Sequence, residues 1–396
     1  MLDVISKDQA VALVSEHCTA AAHTQALPLQ ESLSRVLAQD IVSDQDVPAF
    51  DRTVVDGFAV RAADTFGAGE SMPAQLEIVG EILMGEAPDR VLQRGQCMKI
   101  STGGMLPQGA DAAVMVEHTD SENGLCLVYK PVAPSENITK KADDIARGQT
   151  LLTKGTVLSA AHIGILAALG IDTVEVIQPP KVAIISTGDE ISTTPKAGQI
   201  RDINSSLLAA AAREAGCEAY CFGAVKDDRE AITAAVKACL QQADIVLISG
   251  GSSAGARDMT VEIIDTLGEV YFHGIAMKPG KPTIFGTVEN KAVFGLPGHP
   301  LAAYFVFRLI VCAMIEKMLG KPAEQPLFRA SLSTNIPSNH GREEYLCVKR
   351  EADGTIAPVY TKSGIISVLS QADGFVRIER DSEGVAAHTQ VEVWKL

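Results

Sequence analysis

Basic side chains are scarce in this 396-residue chain. It contains 34 lysines and arginines against 49 aspartates and glutamates, which gives a formal net charge of −15. A surface with that excess of negative charge repels DNA, RNA and anionic lipid, because all three bind basic surfaces. We therefore expect neither a nucleic-acid-binding protein nor a membrane-surface protein.

Cysteine pairs at metal-ligand spacing are absent as well. The eight cysteines form no CxxC motif, and no histidine lies at zinc-finger spacing from them. We therefore expect reduced and mostly buried thiols. Cys217 and Cys221 have the spacing of one helical face, but the neighbouring Gly216 and Tyr220 favour a strand there.

Long uninterrupted hydrophobic runs and internal repeats are also missing. The most apolar stretch, residues 301–319, is interrupted by Arg308 and Glu316, and the chain does not open with a basic segment followed by an apolar run. These features predict a cytoplasmic protein in which residues 301–319 form a buried helix.

Strands and helices alternate between residues 178 and 322. The predicted elements are strands 182–186, 218–222, 245–249 and 292–296 and helices 205–215, 229–241, 259–267 and 301–319. This alternation predicts an α/β fold with a doubly wound parallel sheet, which binds ligands at the carboxyl ends of its strands. The length of the chain leaves room for two to four domains.

The first half of the chain predicts helices that flank a β-rich module. Ser6 and Gln9 form a capping box for a helix that ends near residue 18, and a second helix is expected over 29–38. From Val47, short apolar runs broken by Gly, Pro and Asp indicate strands. Those strands are expected at 76–79, 97–100, 112–116 and 125–129.

Helix is expected again over residues 154–170, and β structure closes the chain. Ser159 is a suitable N-cap and Gly170 a suitable stop for that helix. After residue 322, alternating apolar and polar residues at 345–349 and 391–394 predict a small β domain.

The first predicted strand of the α/β region ends in STGDE, residues 186–190. Carboxylates at Asp189 and Glu190, at the edge where a crevice opens, have the chemistry to hold Mg²⁺ together with a phosphate-bearing ligand. A turn that is simply capped by Asp189 explains the same residues, and the sequence leaves both readings open.

The third predicted strand runs into a glycine-rich loop, GGSSAGARD at 250–258. Its glycines let backbone N–H groups converge on an anion, while Asp258 is expected to cap the helix that follows. The segment also fits G-x-S-x-G, the nucleophile elbow of serine hydrolases, with Ser253 as nucleophile. An elbow needs its helix to begin immediately after the serine, and Gly255 and Asp258 predict a later start.

Two rigid turns complete the predicted crevice. KPGKP at 278–282 presents Lys278 and Lys281 on a stiff loop, which suits an anionic ligand and does not match a Walker A motif. LPGHP at 296–300 starts the last helix with a proline. His299 has no carboxylate partner nearby in sequence, so we assign it no proton-transfer role.

Taken in order, these segments resemble the molybdopterin molybdenumtransferase family, to which bacterial MoeA and the C-terminal domain of gephyrin belong. PAFDRTVVDGFA at 48–59 is similar to the family signature P-x-F-D-x-S-x-x-D-G-[FY]-A, and STGGMLPQGADA at 101–112 to TGA-x-x-P-x-GAD. The STGDE, GG-x-S-x-G-x-x-D, KPGKP and LPG-x-P segments follow in family order, and the resemblance covers essentially the whole chain. Two departures are Thr139, in a segment often rich in arginine, and Ala302, near a position where serine is usual.

The resemblance implies four domains in an elongated homodimer. They are an α/β molybdopterin-binding domain (1–27 and 178–322), a helical connecting domain (28–46 and 147–177), a β-rich insert (47–146) and a C-terminal β-barrel-like domain (323–396). The implied active cleft combines the α/β domain of one subunit with the insert and the terminal domain of the other.

The implied reaction inserts molybdenum from molybdate into adenylylated molybdopterin and releases AMP, with Mg²⁺ as helper ion. The expected catalytic residues are Asp56, Asp144, Glu190, Asp228, Asp258, Lys278 and Lys281. The expected substrate contacts are Thr102, Ser186, Thr187, Gly188, Asp189, Gly250, Gly251, Ser252, Ser253, Gly255, Pro297, Gly298 and Pro300. The expected Mg²⁺ ligands are Glu190, Asp228 and Asp258.

Several of these residues have a simpler explanation. Asp228 is placed to cap the helix from Arg229, and Asp56-Gly57 is a hairpin dipeptide in its own right. A relative that binds molybdopterin or supports assembly without turnover is the main alternative function, and the serine hydrolase is the other. Molybdate and tungstate have the same charge and nearly the same size, so the sequence does not distinguish them.

Overall fold

The computed structural model describes residues 4–18, 23–192, 194–250 and 254–396, with only the backbone of 254–258. The chain divides into two compact units. The larger unit comprises Met1–Ala38, Lys154–Ser159 and Val174–Leu396, and the smaller comprises Gln39–Thr153 and Ala160–Thr173. Each unit is described separately below.

A six-stranded mixed sheet forms the centre of the larger unit. Its strands are β1 (Lys181–Thr187), β2 (Glu218–Val225), β3 (Ile245–Gly250), β4 (Glu269–His273), β5 (Ile284–Val288) and β6 (Lys291–Leu296). The strand order is β2-β1-β3-β6-β5-β4. The first four strands in this order are mutually parallel, whereas β5 is antiparallel to both β6 and β4.

Helices cover both faces of this sheet. They are α1 (Lys7–Glu16), α2 (Asn204–Glu214), α3 (Arg229–Leu240), α4 (Ala254–Leu267), α5 (Pro300–Val306) and α6 (Cys312–Leu319). Successive residues of a strand point to opposite faces. Val182 and Ile184 accordingly pack with α1, α2, α5 and α6, whereas Ala183 and Ile185 pack with α3 and α4. The predicted doubly wound α/β fold is confirmed.

The predicted strands agree closely with the observed ones, but β4 and β5 were missed. Each of these two strands has five residues, and apolar runs of that length do not separate strand from helix by their periodicity. Gly268 marks the tight connection between α4 and β4, because a Cβ there would lie 1.9 Å from the carbonyl oxygen of Thr287. Cys221 lies in β2, which confirms the strand preferred over a helical cysteine pair.

The N-terminal helix is confirmed and the second predicted helix is wrong. α1 has the capping box: Ser6 Oγ accepts from Gln9 N at 3.1 Å, and Gln9 Oε1 accepts from Ser6 N at 2.9 Å. Residues 29–38 form only a 3-10 turn, Leu29–Glu31, and Ser34 has φ of 64°. Beyond it Val36 and Leu37 make β-bridges and are buried, so tertiary pairing prevails over helix propensity.

The predicted helix at 301–319 is present and buried. It runs as α5, a π-helical turn at Phe307–Val311 and α6, and it ends at Gly320 in the left-handed conformation. None of the helices in the described part of the chain is long and apolar enough to cross a membrane.

A β region closes the larger unit, as predicted. Its strands are Phe328–Ser331, Ile336–Pro337, Glu343–Arg350, Ile356–Pro358, Gly374–Ile378, Gly384–Val385 and Gln390–Val393, with a short helix at Val368–Gln371. The segment Met277–Lys278 pairs in parallel with Glu343 and Glu344. This pairing attaches the KPGKP turn to the terminal β region of the same chain.

The smaller unit contains a six-stranded sheet and the helix Ala160–Ala168, which begins six residues later than the helix predicted over 154–170. The order of strands in its sheet is Ala112–Met115, Gly57–Val60, Gln96–Ile100, Ala74–Ile82, Leu125–Val128 and Thr119–Glu122. All four strands predicted for the β-rich module are present. Short strands Ile41–Val42 and Thr150–Leu152 pair outside this sheet, as do Arg52–Thr53 and Ile138–Thr139.

Candidate functional site

Buried polar side chains join the carboxyl ends of β1 and β3 to the start of α2. We call Ser186, Asp202, Asn204, Ser205 and Ser249 the strand-end network. Ser186 Oγ lies 2.8 Å from both Asp202 Oδ1 and Ser205 Oγ, and Asp202 Oδ1 accepts from Ser205 N at 2.9 Å. Ser186 is fully buried, so its hydroxyl supports this network. Its predicted substrate contact stays a prediction.

Asn204 ties the turn after β6 to the same network. Its Nδ2 donates to Ser249 Oγ at 2.7 Å and to the carbonyl oxygen of Gly298 at 2.9 Å. Only 9% of the residue is exposed, and its Oδ1 is buried with no hydrogen-bond partner among the described residues. The sequence reasoning missed Asn204, although the polar residues Asp202, Asn204 and Ser205 at a helix start were a usable signal.

Gly250 is required where β1 and β3 end side by side. Its φ is 155°, and a Cβ there would lie 2.2 Å from the carbonyl oxygen of Thr187. Thr187 itself is buried. The predicted contact residues Gly251, Ser252 and Ser253 lie outside the described residues, and the side chain of Asp258 does too.

The helix after the glycine-rich loop begins earlier than expected. α4 starts at Ala254, so the prediction that Asp258 caps this helix is wrong, and both Gly255 and Asp258 lie within α4. A five-residue delay between Ser253 and the helix was the argument against a nucleophile elbow. That argument therefore does not hold.

Carboxylates gather near the ends of β1 and β2. Asp189 and Glu190 are exposed, and Asp227 has a buried Oδ1 that no described residue hydrogen-bonds. Burial raises the pKa of Asp227, and the negative charges of Asp189 and Glu190 raise it further, while a hydrogen bond with Thr187 opposes them. The sequence reasoning missed Asp227 as well, because it selected the neighbouring Asp228.

Asp228 has the simpler of its two predicted roles. Its Oδ2 accepts from the backbone N–H of Ala231 at 2.9 Å, which makes it the N-cap of α3. Among the residues that the structure describes, no group of three or more histidine, cysteine, aspartate or glutamate side chains is arranged to hold a metal ion.

A cavity of about 840 Å³ lies between the KPGKP turn, the turn after β6 and the terminal β region. Its volume is within the range of small-molecule sites. We call it the cationic cavity, because its charged lining is one carboxylate, Glu344, and four cations: Lys278, Lys281, Arg342 and Lys362.

Glu344 neutralises one of these four cations. Its Oε1 lies 2.6 Å from Lys278 Nζ, and its Oε2 accepts from Ser338 Oγ at 2.8 Å. The side chains of Lys281, Arg342 and Lys362 are exposed, and none of them forms a hydrogen bond or an ion pair with a described residue. Cations in a concave site whose charge is not neutralised attract anions.

The turn after β6 forms part of the cavity wall. Pro297 lines the cavity, Gly298 accepts the Asn204 hydrogen bond, and Pro300 begins α5. His299 Nδ1 lies 2.8 Å from Ser363 Oγ in the terminal β region. The absence of a sequence neighbour therefore did not mean the absence of a partner.

The smaller unit brings together Asp56 and Thr102, which belong to the two motifs at 48–59 and 101–112. Asp56 Oδ1 accepts from Thr102 N at 2.7 Å and lies 3.1 Å from Thr102 Oγ1. Asp144 is exposed. Three residues before it, the backbone N–H of Lys141 donates to Asp51 Oδ1 at 2.8 Å. These three predicted residues are accessible on their own unit.

Three family models together match most of the chain. They are the MoeA N-terminal region (domain I and II) over residues 5–170, a probable molybdopterin-binding domain over 183–317, and the MoeA C-terminal region (domain IV) over 329–396. The second of these contains the α/β sheet and the strand-end network.

Curated proteins and solved structures agree with these models. The chain is 35% identical to a putative molybdopterin biosynthesis protein of Methanocaldococcus jannaschii, with 97% of this chain and 95% of that protein covered. It is 34% identical to a molybdopterin molybdenumtransferase of Bacillus subtilis, covering 98% and 93%. A crystal structure of a MoeA molybdopterin biosynthesis protein from Pyrococcus horikoshii is 39% identical with a TM-score of 0.84, covering 99% and 98%. The chain belongs to the MoeA family.

Proposed function

We propose that this chain is a molybdopterin molybdenumtransferase of molybdenum cofactor biosynthesis. It takes adenylylated molybdopterin and molybdate, releases AMP and leaves molybdenum on the dithiolene of the pterin. The observation that carries the proposal is the cationic cavity, whose four cations face a single carboxylate in a chain of net charge −15. A phosphate or a molybdate oxyanion is the ligand that such a lining favours.

Lys281, Arg342 and Lys362 bind and orient the oxyanion in this proposal, and Lys278 is a further donor at the cavity wall that Glu344 holds in place. Fixed cations stabilise negative charge without reorganising as the reaction proceeds. Asn204 does not line the cavity in this proposal but positions part of its wall. Its side chain donates to the Gly298 carbonyl and so holds the turn that carries Pro297. The glycine-rich loop from Gly250 is proposed to cradle phosphate or pterin, as its residues suggest.

Mg²⁺ is the proposed helper ion. Asp227 supports this proposal. One of its carboxylate oxygens is buried without a hydrogen-bond partner among the described residues, and Asp189 and Glu190 add negative charge nearby, so a bound cation would neutralise charge that the protein leaves unbalanced. Oxygen donors of this kind suit Mg²⁺, which needs only one or two carboxylates beside phosphate oxygens. We propose Asp227 with Glu190 as the residues that hold it, with the N-cap Asp228 in a structural role and Asp258 as a further candidate. Bound Mg²⁺ supplies charge stabilisation to the phosphate oxygens.

The direct test is AMP release from adenylylated molybdopterin, with and without molybdate and Mg²⁺. We expect release that depends on molybdate in the wild type and is lost in Lys281→Ala. Lys237→Ala, which removes an exposed lysine of α3, is the matched control. Tight pterin binding without AMP release at any molybdate concentration would instead identify an assembly scaffold. Retained release in Ser253→Ala removes the hydrolase alternative, which the curated relatives do not favour.

We also propose that the protein works as a homodimer with a composite cleft, in which the insert of one subunit supplies Asp56, Thr102 and Asp144 to the α/β domain of the other. The four-domain division given by the resemblance belongs to this proposal. In this proposal the terminal β region of the same chain also contributes, because its residues line the cationic cavity together with those of the α/β domain.

Mixed dimers test the composite cleft. A heterodimer of Asp56→Asn and Lys281→Ala subunits contains one doubly altered site and one unaltered site if the cleft is shared between subunits. We expect such a preparation to recover up to half of the wild-type AMP release, although each parent is inactive. No recovery in a verified heterodimer would place the site within one chain.

A cytoplasmic location is proposed on the eight free cysteines, which suit a reducing compartment.

A further inference from the structure

His299 and Ser363 meet at the wall of the cationic cavity. His299 Nδ1 lies 2.8 Å from Ser363 Oγ, and the carbonyl oxygen of Ser363 accepts from Leu301 N at 3.1 Å. The imidazole is exposed, and both side chains line the cavity. His299 is the one histidine among the residues that line it.

This hydrogen bond has two possible directions. A neutral imidazole with an unprotonated Nδ1 accepts the hydroxyl proton of Ser363, so the serine presents only lone pairs to the cavity. A protonated imidazole donates from Nδ1 to Ser363 Oγ instead, and the hydroxyl proton is then free to point elsewhere. A neutral imidazole with its proton on Nδ1 also donates to Ser363 Oγ, so only the neutral tautomer with the proton on Nε2 engages the hydroxyl proton of Ser363. Protonation of His299 removes that tautomer and leaves the Ser363 hydroxyl available as a donor in every molecule.

We propose that His299 is a positioning residue which, when protonated, turns the Ser363 hydroxyl into a donor for a tetrahedral oxyanion bound in the cationic cavity. Protonation also adds one positive charge to the lining. The oxyanion thus binds more tightly to the protonated form, and by reciprocity a bound oxyanion favours protonation of His299. This inference rests on the proposed function, since molybdate is the oxyanion in question.

The other charged groups of the cavity do not produce the same pH dependence. They are Lys278, Lys281, Arg342, Lys362 and Glu344. Side chains of these types ordinarily change charge well outside the range from pH 6 to 8, whereas histidine changes charge within it. Burial raises the pKa of the Cys347 thiol to about 11, and burial together with Glu343 raises the pKa of Tyr345. Both therefore stay neutral over this range.

The experiment is calorimetric titration of the full chain with molybdate at pH 6, 7 and 8. Molybdate keeps its double negative charge over this range, so the pH dependence reports on the protein. We expect roughly tenfold tighter binding at pH 6 than at pH 8, since a hydrogen bond to a charged group accounts for about that factor. In His299→Asn, whose amide keeps a hydrogen bond to Ser363 but does not titrate, the affinity should be nearly the same at the three pH values.

Two further variants complete the test. Ser363→Ala should weaken binding most at pH 6, because protonation of His299 there leaves the hydroxyl free to donate in every molecule. His340→Gln removes a histidine of the terminal β region that does not line the cavity and should keep the wild-type pH dependence. If His299→Asn shows the same pH dependence as the wild type while AMP release still depends on molybdate, this inference is overturned and the proposed function stands. If the wild type neither binds molybdate nor releases AMP, the proposed function is overturned together with it.

Discussion

The strand-end network and the cationic cavity use polar side chains in opposite ways. Ser186 and Ser249 are about 1% exposed or less, and each hydroxyl has a partner within 2.8 Å. Lys281 and Lys362 are exposed, and neither side chain has a hydrogen-bond or ion-pair partner among the described residues. Buried polar groups cost free energy unless they are hydrogen-bonded, whereas exposed cations stay hydrated. The first region therefore determines the shape of the site, and the second keeps its charge available for a ligand.

Asn204→Ala tests the buried strand-end network and should have the largest effect on stability. It leaves Ser249 Oγ and the Gly298 carbonyl without their donor, which we expect to destabilise the larger unit by about 2–3 kcal/mol. Chemical denaturation followed by circular dichroism measures this loss. Gln242→Ala, at an exposed position after α3, is the matched control. An equally stable Asn204→Ala would show that the network does not hold the site.

Lys281→Ala tests the open side. We expect roughly tenfold weaker molybdate binding, about 1.4 kcal/mol, because one cation of the cavity is lost. AMP release should be lost as well, because the same cation stabilises the negative charge that develops during the reaction. Stability should stay within about 0.5 kcal/mol of the wild type, since an exposed side chain without a partner contributes little to folding. Calorimetry and thermal unfolding on the same preparation separate the two. A large fall in melting temperature would contradict the assignment of Lys281 to binding.

Asp228→Ala sharpens the difference between two adjacent aspartates. Loss of the hydrogen bond to Ala231 N should destabilise the protein by about 1 kcal/mol, the usual contribution of an N-cap. Asp228→Asn should recover most of it, because asparagine caps helices as well. Thermal unfolding in the presence of a chelator measures both variants. A loss confined to Mg²⁺-dependent activity, without any change in stability, would return Asp228 to the metal site.

Asp227→Asn should have the smallest effect and the opposite sign. The pKa of Asp227 is raised in the folded protein, so the folded state favours the protonated carboxyl. Its ionised form therefore destabilises the fold at neutral pH, and this penalty disappears as the pH falls through the raised pKa. We expect the variant to be more stable than the wild type at pH 7 by less than about 1 kcal/mol, and no longer stabilised by Mg²⁺. Melting temperatures at pH 7 with and without Mg²⁺ decide this.

Sequence reasoning succeeded where a pattern is local. The capping box at Ser6 and Gln9 depends on residues three positions apart, and the α/β alternation depends on patterns within short segments of the chain. Both predictions are confirmed. It failed at residues 29–38, where pairing with distant segments gives Val36 and Leu37 a bridged conformation. It also placed the start of α4 too late, because helix propensity does not distinguish a helix that is capped by Asp258 from one that begins at Ala254.

The amino-acid sequence by itself determined the class of fold, the family resemblance and the loops that carry lysines and carboxylates, because each of these depends on residue types at short spacing. Only the tertiary structure decided which of those side chains are engaged. It paired Lys278 with Glu344 and His299 with Ser363, and it made Asp228 a cap and left an oxygen of Asp227 without a partner. Hydrogen bonding and desolvation depend on which residues the fold brings within about 3 Å, and residues 64 positions apart in the chain, such as His299 and Ser363, meet only when it has folded.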